Sequence, residues 1–345
     1  MTKKQNNDMD KKNFDKLLKD IKKQYGEESI LTFNDSKVDG FPSTSTGSIL
    51  LDDAIGIGGY PKGRVIEIYG PESSGKTTFA LLAIAEAQKD GSYAAFIDAE
   101  HALDIKHAQR MGVDLDRVVI SQPDSGEQAL QLVEHLTETG EFSIIVIDSV
   151  AALSPQAELD GQMEDYTIGA LARLMSKSMR KLSGIINKTQ TTVIFINQIR
   201  EKVGVIFGNP ETTPGGRALK YAASVRLDIR IRERIKSGSD FIGQKVKVKV
   251  VKNKMSSPYK EIETIINYAD GINKEEELIE LATMRGVVQK AGAWYSYLGK
   301  NIGQGKSDAA NFIKENNLIE KIKTKTFNPE LDIQEDKEAE AKQSK

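Results

Sequence analysis

The nine residues Gly70 to Thr78, GPESSGKTT, constrain this chain more than any other stretch. Gly70, Gly75, Lys76 and Thr77 reproduce phosphate-loop spacing, in which glycine backbone turns its N–H groups onto phosphate oxygens. In that pattern the lysine reaches the β- and γ-phosphates and the threonine hydroxyl ligates Mg²⁺. The start of the following helix faces the anion. The context agrees: RVIEIY before the loop reads as a buried strand and TTFALLAIAEAQ after it as a helix. The motif therefore predicts an α/β fold with a nucleotide-binding site.

The rest of the chain extends that sheet. YAAFID, RVVIS, FSIIVID and TVIFIN are short apolar runs with helical stretches between most of them. They predict a mostly parallel sheet flanked by helices. KYAASVRLDIRIRE and QKVKVKVVKNK read as adjacent antiparallel strands. From about residue 270 the texture changes to a helix, a small aromatic hairpin (GAWYSYLGKNI) and a second helix. A small α+β C-terminal domain over 271–326 and a charged, disordered tail over 327–345 are expected. At the other end the first dozen residues are polar and read as disordered. Phe14, Leu17, Leu18, Ile21 and Tyr25 then recur at helical spacing, followed by a strand candidate, SILTF. This N-terminal segment, 1–36, precedes a core over 37–270. Its apolar stripe either folds back on its own core or docks on a neighbouring subunit.

Composition removes several classes. There is no cysteine, hence no disulfide, thiolate metal site or cysteine nucleophile. The 48 basic and 50 acidic side chains leave a formal charge of −2, so any nucleic-acid surface must be a local patch. No apolar run approaches the roughly 18 residues of a membrane span. No secretory leader pattern opens the chain, and a cytoplasmic protein is expected.

Further candidates sit where catalysis on such a sheet places them, at the C-terminal ends of strands. Asp148 closes IIVID, the position of a carboxylate that supports Mg²⁺. Glu100 follows AAFID, where it can orient an attacking water or be an ordinary exposed acid. Gln198 ends VIFINQ, where its amide can bond a γ-phosphate or merely cap the strand. In QKVKVKVVKNK, Lys245, Lys247 and Lys249 share one face and Val246, Val248 and Val250 the other. Without a bulge, Lys252 and Lys254 fall on the valine face, which calls for an anion there or a fraying strand end.

The stretch after Gln198, IREKVGVIFGNPETTPGG, loses all periodicity and reads as a long loop inside the domain, which is either functional or a sign that the element assignment is wrong. A second irregular segment, DGQMEDYTIG, precedes a helix on which Arg173, Lys177, Arg180 and Lys181 form a basic stripe. Such a stripe is either a solvated face or, beside glycine-rich backbone, a surface for a phosphodiester chain.

GPESSGKTT, FIDAEHALD, SQPDSGEQAL, VIDSVAAL, FINQIR, FGNPETTPGG, VKVVKNK and KAGAWYSYLGKNIGQGK together resemble the bacterial RecA recombinase family, in order, from about residue 12 to 325. The resemblance implies a RecA-type ATPase core that forms helical filaments of itself on single-stranded DNA with ATP and Mg²⁺. It also implies pairing with homologous duplex DNA and stimulated self-cleavage of the SOS repressor. By resemblance, Gly70, Pro71, Glu72, Ser73, Ser74, Gly75, Lys76, Thr77, Thr78, Asp104 and His107 bind the nucleotide, and Thr77 and Asp148 serve the metal. Glu100 orients water, Gln198 senses the γ-phosphate, and Lys252 and Lys254 reach the nucleotide of the adjacent subunit. The segments 160–169 and 199–216 correspond to two DNA loops. Ile168, Gly169, Arg173, Ser176, Arg180, Arg200, Val203, Phe207, Gly215, Gly216 and Arg217 correspond to DNA contacts, Ile168 and Val203 as wedges between base triplets. Lys290 and Lys306 are candidates for duplex contact, and the N-terminal helix and SILTF for docking on a neighbour.

The sequence departs from the family at His107, where tyrosine is expected against the adenine. It also departs at Pro214, which removes an N–H donor from the second loop, and in its less acidic tail. A hexameric ring helicase shares this ATPase core and differs by unwinding duplex directionally. A small-molecule kinase needs an acceptor pocket and a lid and is indifferent to DNA.

Overall fold

The computed structural model describes residues 3–26, 29–30, 40–162, 169–201, 208 and 210–328, with side chains from residue 13 onward. Residues Met1–Phe41 and Pro42–Lys345 form separate units.

In the first unit, helix α1 spans Lys3–Tyr25, so the polar opening residues are helical rather than disordered from Lys3 on. Neither glycine nor proline interrupts this stretch, and its lysines, glutamine and leucines are good helix formers. The apolar stripe starts only at Phe14, and the expectation took the lack of a stripe for a lack of structure. Phe14, Leu17 and Tyr25 are exposed. Of SILTF, residues 31–33 lie outside the described residues.

The second unit is built on one nine-stranded sheet. Its strands are β1 (Val65–Gly70), β2 (Tyr93–Asp98), β3 (Val118–Ser121), β4 (Phe142–Asp148) and β5 (Thr192–Gln198). The chain continues with β6 (Val225–Ser237), β7 (Asp240–Asn253), β8 (Glu261–Asn267) and β9 (Gly271–Ile272). The spatial order is β9-β8-β7-β6-β1-β5-β4-β2-β3. Pairings from β6 through β3 are parallel, and β6 to β9 are joined antiparallel. β9 still belongs to this sheet, so the sheet continues past the boundary expected at 271.

Helices α2 (Ile49–Ile55), α3 (Lys76–Gln88), α4 (Ile105–Arg110), α5 (Gly126–Thr139), α6 (Ala170–Thr189) and α7 (Ala218–Ala222) accompany the sheet. The apolar runs are continuous because both faces are buried. On β4, Ile144 and Val146 join Phe79, Leu81 and Ile84 of α3 in one cluster. Ile145 and Ile147 join Val133 of α5 and Met175 and Leu182 of α6 in the other. This is the burial that a helix-covered parallel sheet demands.

Beyond β9, α8 (Lys274–Met284), three short strands β10 (Gln289–Ala291), β11 (Trp294–Tyr297) and β12 (Lys300–Gln304), α9 (Lys306–Glu315) and α10 (Ile319–Phe327) enclose a third cluster. Leu278, Ile279, Tyr295, Tyr297, Ile302 and Ile313 lie in it. The buried Glu277 of α8 ties this part to the core. It accepts from Ser48 Oγ at 2.8 Å, Thr264 Oγ1 at 2.6 Å and the Leu50 N–H at 3.3 Å. The tail from residue 329 lies outside the described residues.

Candidate active site

The phosphate loop joins β1 to α3, and its backbone uses conformations that the glycines permit. Gly75 has φ +96°, and a Cβ there would lie 2.4 Å from Ile266 Cδ1. At Gly70 a Cβ would lie 2.2 Å from the Ile229 carbonyl oxygen. Ser73 also takes a left-handed φ of +58°. Lys76 Nζ donates to the Pro71 carbonyl at 2.7 Å across the loop. Burial pulls the Lys76 ammonium below its usual range, against Asp148, Glu100 and Glu72. Pro71, Glu72 and Ser73 are exposed, whereas Ser74 and Thr78 are buried. Ser74 Oγ is buried without a partner among the described residues. An orphaned hydroxyl in a cradle that a Cβ would fill suits a phosphate oxygen.

Side chains converge on this loop from neighbouring strand ends. Thr77 Oγ1 donates to Asp148 Oδ2 at 2.7 Å, so the hydroxyl and the carboxylate that would serve Mg²⁺ are in contact. Burial pushes Asp148 up to about 6, with the Glu100 carboxylate adding to it and the Thr77 bond and Lys76 opposing it. Glu100 Oε1 accepts from Ser149 Oγ at 2.5 Å and from Gln198 Nε2 at 2.8 Å. Asp104 caps α4 by accepting from the Lys106 N–H at 2.8 Å. His107 sits half-buried with Nε2 3.3 Å from Thr78 Oγ1. Burial, then Arg110, holds its imidazole below the usual range, which favours the neutral ring.

Lys252 and Lys254 lie away from this cluster. The Lys252 ammonium donates to the carbonyls of Lys220 at 2.7 Å and Tyr221 at 3.0 Å, and Lys254 to Tyr221 at 3.4 Å. These carbonyls end α7, at the edge where β1 and β6 begin, opposite the phosphate loop at the end of β1. Burial, then Lys254 and Arg226, pulls Lys252 down to about 8. The expected strand phase is corrected here. The register shifts between Arg226 and Leu227, so Lys252 opposes Arg226 while Val250 opposes Leu227. This bulge at Val251 puts Lys252 on the lysine face, because directly opposed residues share a face.

The segment 199–216 is not wholly irregular. Arg200 and Glu201 pair antiparallel with Thr212 and Glu211. Glu211 takes a two-pronged contact from Arg230, at 2.8 and 2.7 Å. Gly215 and Gly216 have φ of +83° and +74° and abut α6: a Cβ at Gly215 would lie 3.3 Å from Met175 Cγ and 2.9 Å from Val150 Cγ1 before the helix, and one at Gly216 2.9 Å from Ala172 Cβ. The second loop thus returns onto the basic helix. On α6, Gly169 is the N-cap and Arg173, Lys177 and Arg180 are exposed, with Arg180 Nη1 3.3 Å from Ser176 Oγ. Lys181 is drawn out of the stripe by Glu134, at 2.9 Å. Arg200 and Arg217 are exposed. Ile168, Val203 and Phe207 lie outside the described residues. In the C-terminal part Lys290 is exposed, 5.3 Å from the Tyr295 ring centre, while Lys306 pairs with Glu280.

A RecA N-terminal domain model matches residues 12–273, and a RecA C-terminal domain model matches 276–328. The chain belongs to the RecA family. It is 56% identical over 308 residues to Protein RecA of Staphylococcus epidermidis, covering 89% of this chain and 88% of that one. Against Protein RecA of Bacillus licheniformis the identity is 57% over 305 residues, 88% of each. Against Protein RecA of Staphylococcus carnosus it is 52% over 340 residues, 96% of each. Membership in the RecA family makes the chain a recombinase of recombinational DNA repair. Among the described residues no helix is long and apolar enough to cross a membrane.

The RecA-type site also contains groups that motif reading missed. Gln244 of β7 is buried and donates from Nε2 to the Ser73 carbonyl at 3.0 Å, and Tyr268 Oη contacts its Oε1 at 3.3 Å. This side chain braces the loop at its left-handed serine. The available signal was an amide on the valine face of β7. Ser149, directly after Asp148, holds Glu100 and lies just outside the run FSIIVID, where it was not singled out. Buried Glu67 of β1 and Asn197 of β5 were read as parts of apolar strands.

Proposed function

We propose that this chain is a DNA-dependent ATPase that assembles with ATP into a helical filament on single-stranded DNA and pairs it with homologous duplex. The observation that carries the reading is the Glu100 cluster. One carboxylate beside the Thr77–Asp148 pair is held by Ser149 and by Gln198, the residue that opens the second loop. Both donors bond Oε1, which leaves Oε2 to orient the attacking water.

The loop N–H groups and Lys76 bind the β- and γ-phosphates, with Ser74 Oγ supplying a further contact. Thr77, supported by Asp148, would hold Mg²⁺, which when bound would withdraw charge from the phosphates. A γ-phosphate that takes the Gln198 amide from Glu100 pulls on the start of the second loop. Lys252 and Lys254 act on the nucleotide of the next subunit, which their position opposite their own phosphate loop supports. The exposed stripe on α1 is the matching polymerisation contact. Arg173, Arg180, Arg200 and Arg217 hold DNA phosphates, with Gly215, Gly216 and Gly169 allowing close backbone approach. Ile168 and Val203 wedge between bases, and Lys290 takes duplex. The filament also stimulates self-cleavage of the SOS repressor, and the protein works in the cytoplasm.

The test is ATP hydrolysis with and without single-stranded DNA, with electron microscopy of the same samples. Strong stimulation with extended helical filaments is expected, and Glu100→Gln should still bind DNA with ATP while hydrolysing it at least about 100-fold more slowly. Hydrolysis indifferent to DNA with no polymer would overturn the reading, and normal turnover by Glu100→Gln would overturn that residue's role.

A further inference from the structure

We propose that Asn197 is a positioning residue that fastens both roots of the 199–216 segment to the buried Glu67–Arg226 pair, so that the two roots shift together. The proposal rests on reading that segment as a DNA loop governed by Gln198.

Asn197 is the penultimate residue of β5 and is fully buried, in a strand that otherwise carries Val193, Ile194, Phe195 and Ile196. Its carboxamide bonds in three directions. Nδ2 donates to Glu67 Oε1 at 3.2 Å and to the Pro214 carbonyl at 3.1 Å, and Oδ1 accepts the Gln198 N–H at 3.0 Å. Gln198 stands at one root of the segment and Pro214 at the other. A single planar group therefore bridges two chain positions 16 residues apart. The partners also settle the amide's orientation: flipped, it would set NH₂ against an N–H and its oxygen against two acceptors.

The anchor is equally definite. Glu67 is fully buried in the middle of β1, and Arg226 Nε of β6 donates to its other oxygen at 2.5 Å. The guanidinium lies 4.8 Å from the Tyr69 ring centre. Charge in the sheet interior is thus balanced across β1, β6 and β5, and Asn197 is the neutral link from that pair to the loop. Because the amide is rigid, turning it to follow the Gln198 N–H displaces both Nδ2 bonds. Buried donors left unmet are costly, so the three bonds form or break as a set. Thr213 Oγ1, next to Pro214, is buried without a partner among the described residues, so this root is not saturated in the present arrangement. A pull on Gln198 is therefore passed to Pro214, Gly215 and Gly216 through a side chain rather than through the loop's own length.

The experiment compares wild-type protein with Asn197→Ala, with Glu67→Gln and with the double variant that carries both changes. ATP hydrolysis is titrated with oligo(dT), and binding of a fluorescent ATP analogue is measured without DNA. The DNA concentration for half-maximal stimulation should rise about tenfold in Asn197→Ala, the worth of one or two lost bonds. Affinity for the analogue should stay within about twofold, because no partner of Asn197 belongs to the phosphate loop and it meets Gln198 through the backbone N–H, not through the side-chain amide. Adding Glu67→Gln should bring less than its own separate loss, since the two changes break the same chain of contacts. Should Asn197→Ala fail to fold, Asn197→Ser, which leaves a hydroxyl for Glu67, carries the same titration. An unchanged DNA titration overturns the proposal, and so does an equal loss of DNA and nucleotide affinity, the mark of a merely structural role. A wild-type protein that DNA does not stimulate sinks the functional reading itself, a result distinct from either.

Discussion

Replacing Asp52 by asparagine should stabilise the protein above neutral pH and change it little at pH 4 or below. Asp52 lies on α2 with its carboxylate buried, accepting from Ser45 Oγ at 2.6 Å and from the Thr46 N–H at 2.7 Å. Burial outweighs these bonds and pushes it up to about 7, and the buried Glu277 carboxylate adds to the shift. The other facing group, Tyr60, is itself pushed above its ordinary value by burial. In the unfolded chain an aspartate titrates near 3.9. Below that value both states hold the proton and Asp52 is neutral to stability. Between about 4 and about 7 the unfolded chain has lost its proton while the folded one keeps it, so stability falls as pH rises. Above 7 the loss is complete, on the order of 4 kcal/mol at about 1.4 kcal/mol for each pH unit spanned. Asparagine keeps an acceptor for the Thr46 N–H, offers a donor to Ser45 Oγ and carries no charge. Thermal melts of both proteins from pH 4 to pH 8.5 at fixed ionic strength should give a difference growing from small at pH 4, through about a third of its full size at pH 5, to several degrees in the variant's favour. A difference independent of pH, or a variant less stable than wild type at pH 8, would refute the argument that burial of charge dominates at this position.

Two further outcomes follow from the geometry. Gly70→Ala should lose about 1–3 kcal/mol of stability and much of its nucleotide affinity, because the new methyl meets a backbone oxygen that cannot rotate away; melting and nucleotide titration would check both. Lys252→Ala and Lys76→Ala proteins, each inactive alone, should regain ATP hydrolysis when mixed, since one supplies an intact phosphate loop and the other the opposite edge; continued inactivity of the mixture would place Lys252 in its own subunit's chemistry instead.

What could be read from the chain differs by the kind of physics involved. That the 70–78 loop, Asp148 and Glu100 come together was legible because a parallel sheet brings the C-terminal ends of its strands to one edge. The strand order of that sheet was not, since β1 lies between β6 and β5 by long-range pairing that leaves no local trace. The fault in the lysine register shows the same limit: one extra residue at Val251 reverses a face, and only the pairing with Arg226 and Leu227 reveals it. Helix α1 was missed at its start for the opposite reason, since it runs there without an apolar stripe.

The buried polar residues are the more instructive failure. Glu67, Asn197 and Gln244 each interrupt an apolar face, and strand periodicity marks all three as anomalies. A buried carboxylate or amide in a strand is costly unless its partners are in place. Each such interruption therefore asserts that another element arrives with complementary groups. Here the arrivals are Arg226 for Glu67, Pro214 and Gln198 for Asn197, and Ser73 for Gln244. They come from a neighbouring strand, from the roots of the second loop and from the phosphate loop. The apolar surface of the sheet is generic and any helix-covered parallel sheet has it. On the function proposed above, its three polar interruptions lead to the parts that hold or move as nucleotide and DNA bind, which is why reading them as strand filler cost the most functional information.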